Sequence, residues 1–189
     1  SGNEQCSLFA TLGLEYPYNE YRAGWQMAGK PLVQRLHDKA HSWEDLGKLI
    51  PEMLAENILG YCFSCPDMVG GGSFATFLAG EVNQDLIVRS AQCHALMTMM
   101  QFSLAPWRVL DKEHYAAVLK AVRMREDLMP LIMSLAADAA ATGAPIMRPL
   151  EYVFPHQGYG DVKDQFMLGD SLMVAPMVTP GFERKVSLP

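Results

Sequence analysis

Short apolar runs alternate with longer stretches of helical periodicity through the first three quarters of this 189-residue chain. The helical periodicity covers about residues 42–57, 84–100 and 112–142. Between and before them the pattern predicts a hairpin or strand pair at 24–36 and buried strands at 59–65 and 99–105. The order strand, helix, strand, helix favours a parallel sheet covered by helices, either an open doubly wound sheet or part of a (β/α)8 barrel.

The sequence changes character at Pro145. The apolar segments that follow, at 146–150, 165–178 and 184–188, are separated by glycine and proline and lack helical periodicity. This pattern is typical of short β-strands. We therefore expect residues 1–144 to form the α/β layer, and residues 145–189 to form its end and the start of an antiparallel β-domain.

Composition and charge exclude several classes of partner. The net charge is −6 and no Lys/Arg cluster is longer than two residues, so a nucleic-acid partner is not expected. The apolar stretch at 128–141 is interrupted by Pro130 and Asp138 and is too short to span a bilayer, so we predict no membrane span in this segment. The chain lacks an initiator Met and stops within an alternating apolar pattern, and both ends are expected to be truncation points.

Two predicted strands end in a carboxylate. Asp38 follows the apolar run at 31–33, and Asp67 follows the run at 59–65. Folds with parallel strands place their functional sites at the carboxyl ends of those strands. From spacing alone the alternatives stay open: Ser42 or Asp38 could cap the next helix, and Asp67 could be an ordinary turn residue.

A longer motif surrounds Asp38. Arg22-Ala23-Gly24-Trp25 is followed by Asp38 sixteen residues after Arg22 and by Trp43 five residues later. This motif resembles glycoside hydrolase family 31, although His37 stands where the family motif has glycine. The resemblance runs from about Leu14 onward. It continues in the strings at 43–46, 50–51, 57–60, 66–71, 169–176 and 180–181. The strings at 66–71 and 100–108 look closest to the branch that contains the myogenesis-regulating glycosidase.

The resemblance implies the C-terminal half of a (β/α)8 TIM barrel that leads into an antiparallel β-sandwich. It implies a retaining exo-α-glycosidase that hydrolyses terminal α-linked glucose or galactose without a cofactor or a metal. Asp38 would be the general acid/base, with Arg22, Asp67 and Trp43 at the substrate. Ser103 lies near the position of a sugar-binding His in many α-glucosidases of the family, which argues against a plain α-glucosidase specificity.

Retaining hydrolysis needs two carboxyl groups, a nucleophile and an acid/base. No string resembling the family's nucleophile motif occurs here, so the nucleophile is expected upstream of Ser1. The N-terminal half of the same barrel would then be required for activity and for stable folding, because a cut barrel exposes strand edges and apolar faces. The alternative is a family member with a decayed site that serves as a carbohydrate-binding or scaffold protein.

Two other motifs favour ordinary structure. Cys62 and Cys65 lie in an apolar run without a second Cys/His pair, which predicts buried, unreactive thiols and no metal site. The string Gly169-Asp170-Ser171-Leu172 matches the label of a serine esterase family, but no His follows Ser171 in the remaining 18 residues to act as its base. An esterase is therefore not expected.

Overall fold

The structure, a computed structural model, describes residues 2–16, 19–73, 75 and 82–189. Its first part contains five short strands: β1 (Glu20–Tyr21), β2 (Val33–Arg35), β3 (Ser64–Cys65), β4 (Met68–Val69) and β5 (Gln101–Phe102). The helices are α1 (Gly2–Gly13), α2 (Trp43–Ile58), α3 (Gln84–His94), α4 (Pro106–Val109), α5 (Lys112–Thr142) and α6 (Leu150–Val153). Three further strands follow: β6 (Met147–Arg148), β7 (Phe166–Leu168) and β8 (Leu172–Val174).

The first five strands are parallel and adjacent in chain order. Strand β1 pairs with β2, β2 with β3, and β4 with β5. Strands β3 and β4 are two parts of one extended segment, which Pro66 and Asp67 interrupt. The sequence-based prediction of a parallel sheet with helices between its strands is thus confirmed for this part.

The parallel strands, a three-stranded sheet β1-β2-β3 that the two-stranded sheet β4-β5 continues, form a curved surface. Strands β1 and β5 are separated by three strand spacings, about 14 Å in a flat sheet. Nevertheless the Gln101 side chain on β5 donates a hydrogen bond to the Glu20 carboxylate on β1. The concave face of the sheet therefore brings together side chains from both of its edges.

Region 24–36 differs from its prediction as a hairpin or strand pair. It contains one strand, β2, whose partner β1 precedes it and runs parallel to it. The intervening segment turns at Gly29, which has a φ of +75° and donates its N–H to the Gly60 carbonyl. Glycine tolerates this backbone conformation without steric cost. The predicted strands at 59–65 and 99–105 are each reduced to two residues, and the helix predicted at 84–100 ends at His94.

Helix α2 shows why the local sequence folds as predicted. Ser42 is its N-cap, and the Ser42 hydroxyl accepts the Asp45 N–H at 3.2 Å. Its apolar residues recur at helical spacing, so one face of the helix is buried. The buried residues are Leu46, Leu49, Ile50, Met53, Leu54 and Asn57.

The main core lies between helices α2 and α5 and the C-terminal strands. It includes Ile50, Met53, Ile132, Phe166 and Leu168. A smaller cluster lies beneath helix α3 and joins strand β4 to helix α5; its members include Val69, Ile87, Ala91 and Val118. Within the described ranges, no helix combines the length and hydropathy needed to cross a bilayer.

The C-terminal strands form an antiparallel sheet in the order β6-β7-β8, as the short apolar segments after Pro145 predict. Every residue of β6 and β7 is buried. Residues 184–188 do not form a strand. They are held instead by Gln165, whose buried amide donates to the Ser187 carbonyl at 2.9 Å and accepts the Ser187 N–H at 2.8 Å.

Candidate active site at the carboxyl ends of the parallel strands

Four charged side chains meet at the carboxyl ends of the parallel strands. Arg22 follows β1, Arg35 ends β2, Asp38 lies three residues beyond it, and Asp67 separates β3 from β4. They come from neighbouring strands, and ion pairs join them into one cluster. The sheet thus assembles the charged residues Arg22, Asp38 and Asp67, which the sequence identified as candidates, and adds Arg35.

Asp38 is the accessible carboxylate of the cluster. Its Oδ1 atom forms an ion pair with Arg22, and the same oxygen accepts from Nη2 of Arg35 at 3.0 Å. The Asp38 side chain is 40% exposed and that of Arg22 is 54% exposed. Both can therefore contact a molecule that binds over the strand ends.

Asp67 is fully buried. Its Oδ1 accepts from Nη2 of Arg35 at 2.6 Å, and its Oδ2 accepts the backbone N–H groups of Lys39 and Gly72, each at 2.7 Å. These bonds hold Asp67 at a φ of +124°, a conformation that favours glycine. Asp67 therefore supports Arg35, and its contact with a substrate stays a prediction.

Arg35 is the residue that reasoning from the sequence missed. It is 14% exposed and binds both Asp38 and Asp67, while Glu20 lies 3.7 Å from its Nε atom. Burial alone would lower the pKa of Arg35, but Asp67, Asp38 and Glu20 together raise it above its usual value. The available signal was a charged residue in an apolar strand, three positions before the candidate acid.

The loop that carries Asp38 is fixed on both sides. The Ala40 N–H donates to Asp45 at 2.6 Å, and the buried Lys39 ammonium binds Glu52 at 2.8 Å. On the other side, the Ser73 N–H donates to the Lys39 carbonyl at 3.0 Å. Since Ser42 caps helix α2, Asp38 is not needed as a cap, which decides that alternative.

Gly72 packs closely against the charged cluster. A Cβ atom at this position would lie 2.5 Å from Asp67 Oδ1, 2.8 Å from Asp38 Oδ1 and 2.9 Å from Arg35 Nη2. The neighbouring Gly71 has a φ of +95°, and its Cβ would lie 2.6 Å from the Lys39 carbonyl. The charged groups therefore occupy the space that a side chain at Gly72 would need.

Two further residues named from the sequence, Trp43 and Ser103, make structural contacts. Trp43 begins helix α2 and packs, half-buried, against the main core. Its contact with a substrate stays a prediction. Ser103, just after β5, donates its hydroxyl to the Val69 carbonyl at 3.2 Å and so joins β5 to β4.

The other candidate motifs are structural. All four cysteines are free and buried, and burial raises the pKa of Cys65 to about 11. Ser171 lies in the turn between β7 and β8, next to Asp170, which pairs with Arg148. Among residues 2–16, 19–73, 75 and 82–189, no group of three or more His, Cys, Asp or Glu side chains could hold a metal ion.

Comparison with known proteins shows the family. Residues 17–135 match the TIM-barrel domain of glycosyl hydrolases family 31. The chain belongs to glycoside hydrolase family 31. Residues 143–189 match the C-terminal domain of the same family. The members of this family are glycoside hydrolases, as the sequence resemblance predicts.

Several relatives align with most of this chain. It is 39% identical over 181 residues to the myogenesis-regulating glycosidase of Mus musculus, covering 90% of this chain and 25% of that protein. It is 33% identical over 173 residues to the SITS-binding protein of Tetronarce californica, covering 88% of this chain and 24% of that protein. The chain thus spans about a quarter of the length of these relatives.

Solved structures show the same fold. A family 31 α-xylosidase from a soil metagenome, complexed with xylose, superposes with a TM-score of 0.78 at 22% identity, covering 94% of this chain and 30% of that one. The glucosidase II α subunit superposes with a TM-score of 0.72 at 23% identity, covering 84% of this chain and 17% of that one. At this identity the likeness establishes the fold alone.

Proposed function

We propose that the full-length protein is a retaining exo-α-glycosidase in which Asp38 is the general acid/base and Arg22 binds the sugar. The observation that supports this proposal is the exposed Asp38 carboxylate, paired with Arg22 at the carboxyl ends of adjacent parallel strands. Barrel enzymes place their catalytic groups at this end. A guanidinium group offers several donors of fixed geometry, which suits sugar hydroxyls as well as carboxylates.

Asp38 would first protonate the glycosidic oxygen and later remove a proton from the attacking water. The C1–O bond breaks with its electron pair on the departing oxygen, which receives the proton of Asp38. Asp67 cannot be the attacking carboxylate, because it is fully buried and bound by Arg35 and two backbone N–H groups. We propose that the nucleophile lies on barrel strands outside this chain.

The shape of the parallel sheet supports a half-barrel. Its curvature brings Gln101 on one edge to Glu20 on the other, so further strands could close the concave face around the cluster. We propose that residues 1–144 belong to the C-terminal half of a (β/α)8 barrel, and that residues 145–189 end it and begin a β-sandwich. The N-terminal half of the barrel would supply the nucleophile, and this chemistry needs no cofactor.

The substrate we propose is a terminal α-linked galactose or glucose. Relatives in the family include a human neutral α-glucosidase C, 32% identical over 151 residues, and a solved α-xylosidase, so the fold serves more than one sugar. Ser103 stands near the position of a sugar-binding His in many α-glucosidases, and its hydroxyl already bonds a backbone carbonyl. This difference makes the galactoside the first substrate to test.

The test is the hydrolysis of nitrophenyl α-galactoside and α-glucoside by the full-length protein and its Asp38→Asn variant. The nitrophenyl group departs with little help from an acid, but water needs the base to attack the glycosyl intermediate, so loss of Asp38 should lower kcat by about 100- to 10,000-fold. Added azide should restore part of the rate because it attacks the glycosyl intermediate without base assistance. The matched control is Asp170→Asn, which changes an exposed carboxylate beside Arg148 in the C-terminal sheet.

An Asp38→Asn variant with wild-type activity would contradict the role of Asp38. A folded wild-type protein that binds these sugars without cleaving either would favour a binding protein with a decayed site. Calorimetric titration with free galactose and glucose separates this outcome from a protein that recognises a different glycoside.

A further inference from the structure

Arg35 is placed to orient Asp38 without contacting the substrate itself. Its Nη2 atom binds Asp38 Oδ1 at 3.0 Å and Asp67 Oδ1 at 2.6 Å, so one nitrogen joins an exposed carboxylate to a buried one. The Arg35 side chain is 14% exposed, against 40% for that of Asp38. Asp38 is therefore the group that reacts with the substrate, and Arg35 acts only through its hydrogen bond to Asp38.

Asp67 changes the electrostatic effect of Arg35. An isolated guanidinium beside Asp38 would favour the ionised carboxylate and oppose the protonated form that an acid catalyst needs. Asp67 carries the opposite charge within hydrogen-bond distance of the same nitrogen. The Arg35–Asp67 pair is therefore nearly neutral as a unit, and it can donate a hydrogen bond to Asp38 with little net positive charge.

The surroundings hold this pair in place. Asp67 has an unfavourable φ of +124°, which two backbone N–H donors and Arg35 compensate. Asp67, Asp38 and Arg35 also fill the space beside Gly72, where a Cβ atom would lie within 3.0 Å of each of them. Backbone strain of this kind persists where the surrounding structure fixes it, and it concentrates at functional sites.

We infer that the Arg35–Asp67 pair is a positioning device for Asp38, in which Arg35 fixes one oxygen of Asp38 and Asp67 neutralises the charge of Arg35. This inference rests on the proposed acid/base role of Asp38. Arg22 and Arg35 both bind Oδ1, so the transferred proton belongs on Oδ2. The charged groups around Asp38 are then Arg22 from β1, Arg35 from β2 and Asp67 from the break between β3 and β4, with Glu20 behind Arg35.

The test compares Arg35→Gln and Asp67→Asn in the full-length protein by the pH dependence of kcat/KM. The alkaline limb of that profile reports the ionisation of the acid catalyst. Removing the cation leaves the buried Asp67 charge near Asp38, so Arg35→Gln should move this limb up by about one pH unit. Asp67→Asn leaves Arg35 unneutralised and should move it down by about as much.

The leaving group provides a second readout. A dinitrophenyl group departs without protonation, whereas an alkyl or sugar leaving group needs the acid. With a misplaced acid, kcat/KM should fall by about 100-fold on the unactivated substrate and by less than about tenfold on the dinitrophenyl glycoside. Arg35→Lys keeps the charge and should leave the alkaline limb near its wild-type position, with part of the activity retained.

The matched control is Arg125→Gln. Arg125 is a half-buried arginine on helix α5 that donates to the main-chain carbonyls of Met97 and Thr98. Its loss should weaken the fold without moving the alkaline limb. The inference is overturned if the alkaline limb stays in place in both Arg35→Gln and Asp67→Asn, or if it moves in the same direction in both. Equal losses of kcat/KM on both leaving groups would also overturn it.

Failure of the proposed function gives a different result. If the wild-type protein cleaves no glycoside, the acid/base role is lost, but the orienting role can still be read from a crystal structure of Arg35→Gln. An Asp38 carboxylate that turns away from Arg22 in that variant supports the positioning role. An Asp38 carboxylate that stays in place contradicts it.

Discussion

The parallel strands β1–β5 and the antiparallel sheet β6-β7-β8 are held together in different ways. The antiparallel sheet packs apolar side chains such as Met147, Phe166 and Leu168 into the main core. The ends of the parallel strands instead carry Arg35, Asp38 and Asp67, which ion pairs and backbone donors connect. The first arrangement contributes stability through burial, and the second contributes a fixed charge distribution. Substitutions in the two regions should therefore affect different measurements.

The largest effect on stability is expected at the centre of the antiparallel sheet. Phe166 is fully buried in the main core. Phe166→Ala removes its packing and leaves a cavity, so the free energy of unfolding should fall by about 3–5 kcal/mol. Urea denaturation of the full-length protein measures this change. The kcat of the folded fraction should stay near its wild-type value, because Phe166 is no part of the charged cluster.

The control for this prediction is Phe182→Ala. Phe182 is 92% exposed, so its removal should change the free energy of unfolding by less than about 0.5 kcal/mol. A Phe166→Ala protein that is as stable as Phe182→Ala would contradict the assignment of the core to the C-terminal sheet.

Gly72→Ala tests the charged region with a smaller change in stability. The added methyl group would overlap Asp67 Oδ1, Asp38 Oδ1 and Arg35 Nη2. Overpacking of this kind costs about 1–3 kcal/mol. Because a small displacement of a catalytic group costs about 100-fold in rate, the loss of kcat/KM should be far larger than the loss of stability suggests.

Gly47→Ala provides a matched control, for which the free energy of unfolding should rise instead of fall. Gly47 lies inside helix α2, and a Cβ atom there would meet nothing within 4 Å. Alanine should stabilise the helix by about 0.5–1 kcal/mol and leave the activity unchanged. If both glycine variants retain full activity, the charged cluster does not depend on the close contact with Gly72.

The strands and helices could be predicted to different degrees. Helices α2 and α5 were evident from apolar periodicity, and Ser42 was a candidate N-cap of α2. The structure adds Gly143, with a φ of +75°, as the C-cap of α5. The parallel strands were located but overestimated in length, since apolar residues at 59–63 form the turn after α2. The partner of β2 was misplaced because β1 (Glu20–Tyr21) has only two residues, too few to show an alternating apolar pattern.

The candidate site shows the same division. Asp38 and Asp67 could be found from the sequence because a carboxylate at a strand end is a local signal. The pairing of Asp67 with Arg35, 32 residues away, depends on which strands lie side by side. Burial of Asp67 and the close approach of Gly72 likewise depend on the packed loops at 37–40 and 70–73. Tertiary contacts therefore decide which carboxylate is exposed, and the sequence alone does not.

The smallest effects are expected from pH, through two histidines with opposite shifts. His94 on helix α3 is buried, and burial lowers its pKa below the usual value near 6.5, although Ser90 and Asp67 partly oppose the shift. Its Nδ1–H donates to the Ser90 carbonyl at 2.8 Å. Below pH 6.5 the unfolded chain binds a proton that folded His94 resists, so stability falls as the pH decreases. His94→Asn keeps a donor near Nδ1 and should remove part of this slope between pH 5 and 7.

His114 should act in the other direction. The Asp111 side chain raises the pKa of His114, so its stabilising contribution is present below pH 6.5 and disappears as the pH rises through the folded-state value. Because this pair lies at the surface, solvent screens it, and the effect should be smaller than that of His94. Plots of the free energy of unfolding against pH, from urea denaturation, should therefore show a shallower slope in His94→Asn and a slightly steeper one in His114→Asn than in the wild type. Equal slopes in both variants would contradict opposite contributions of the two histidines to the pH dependence of stability.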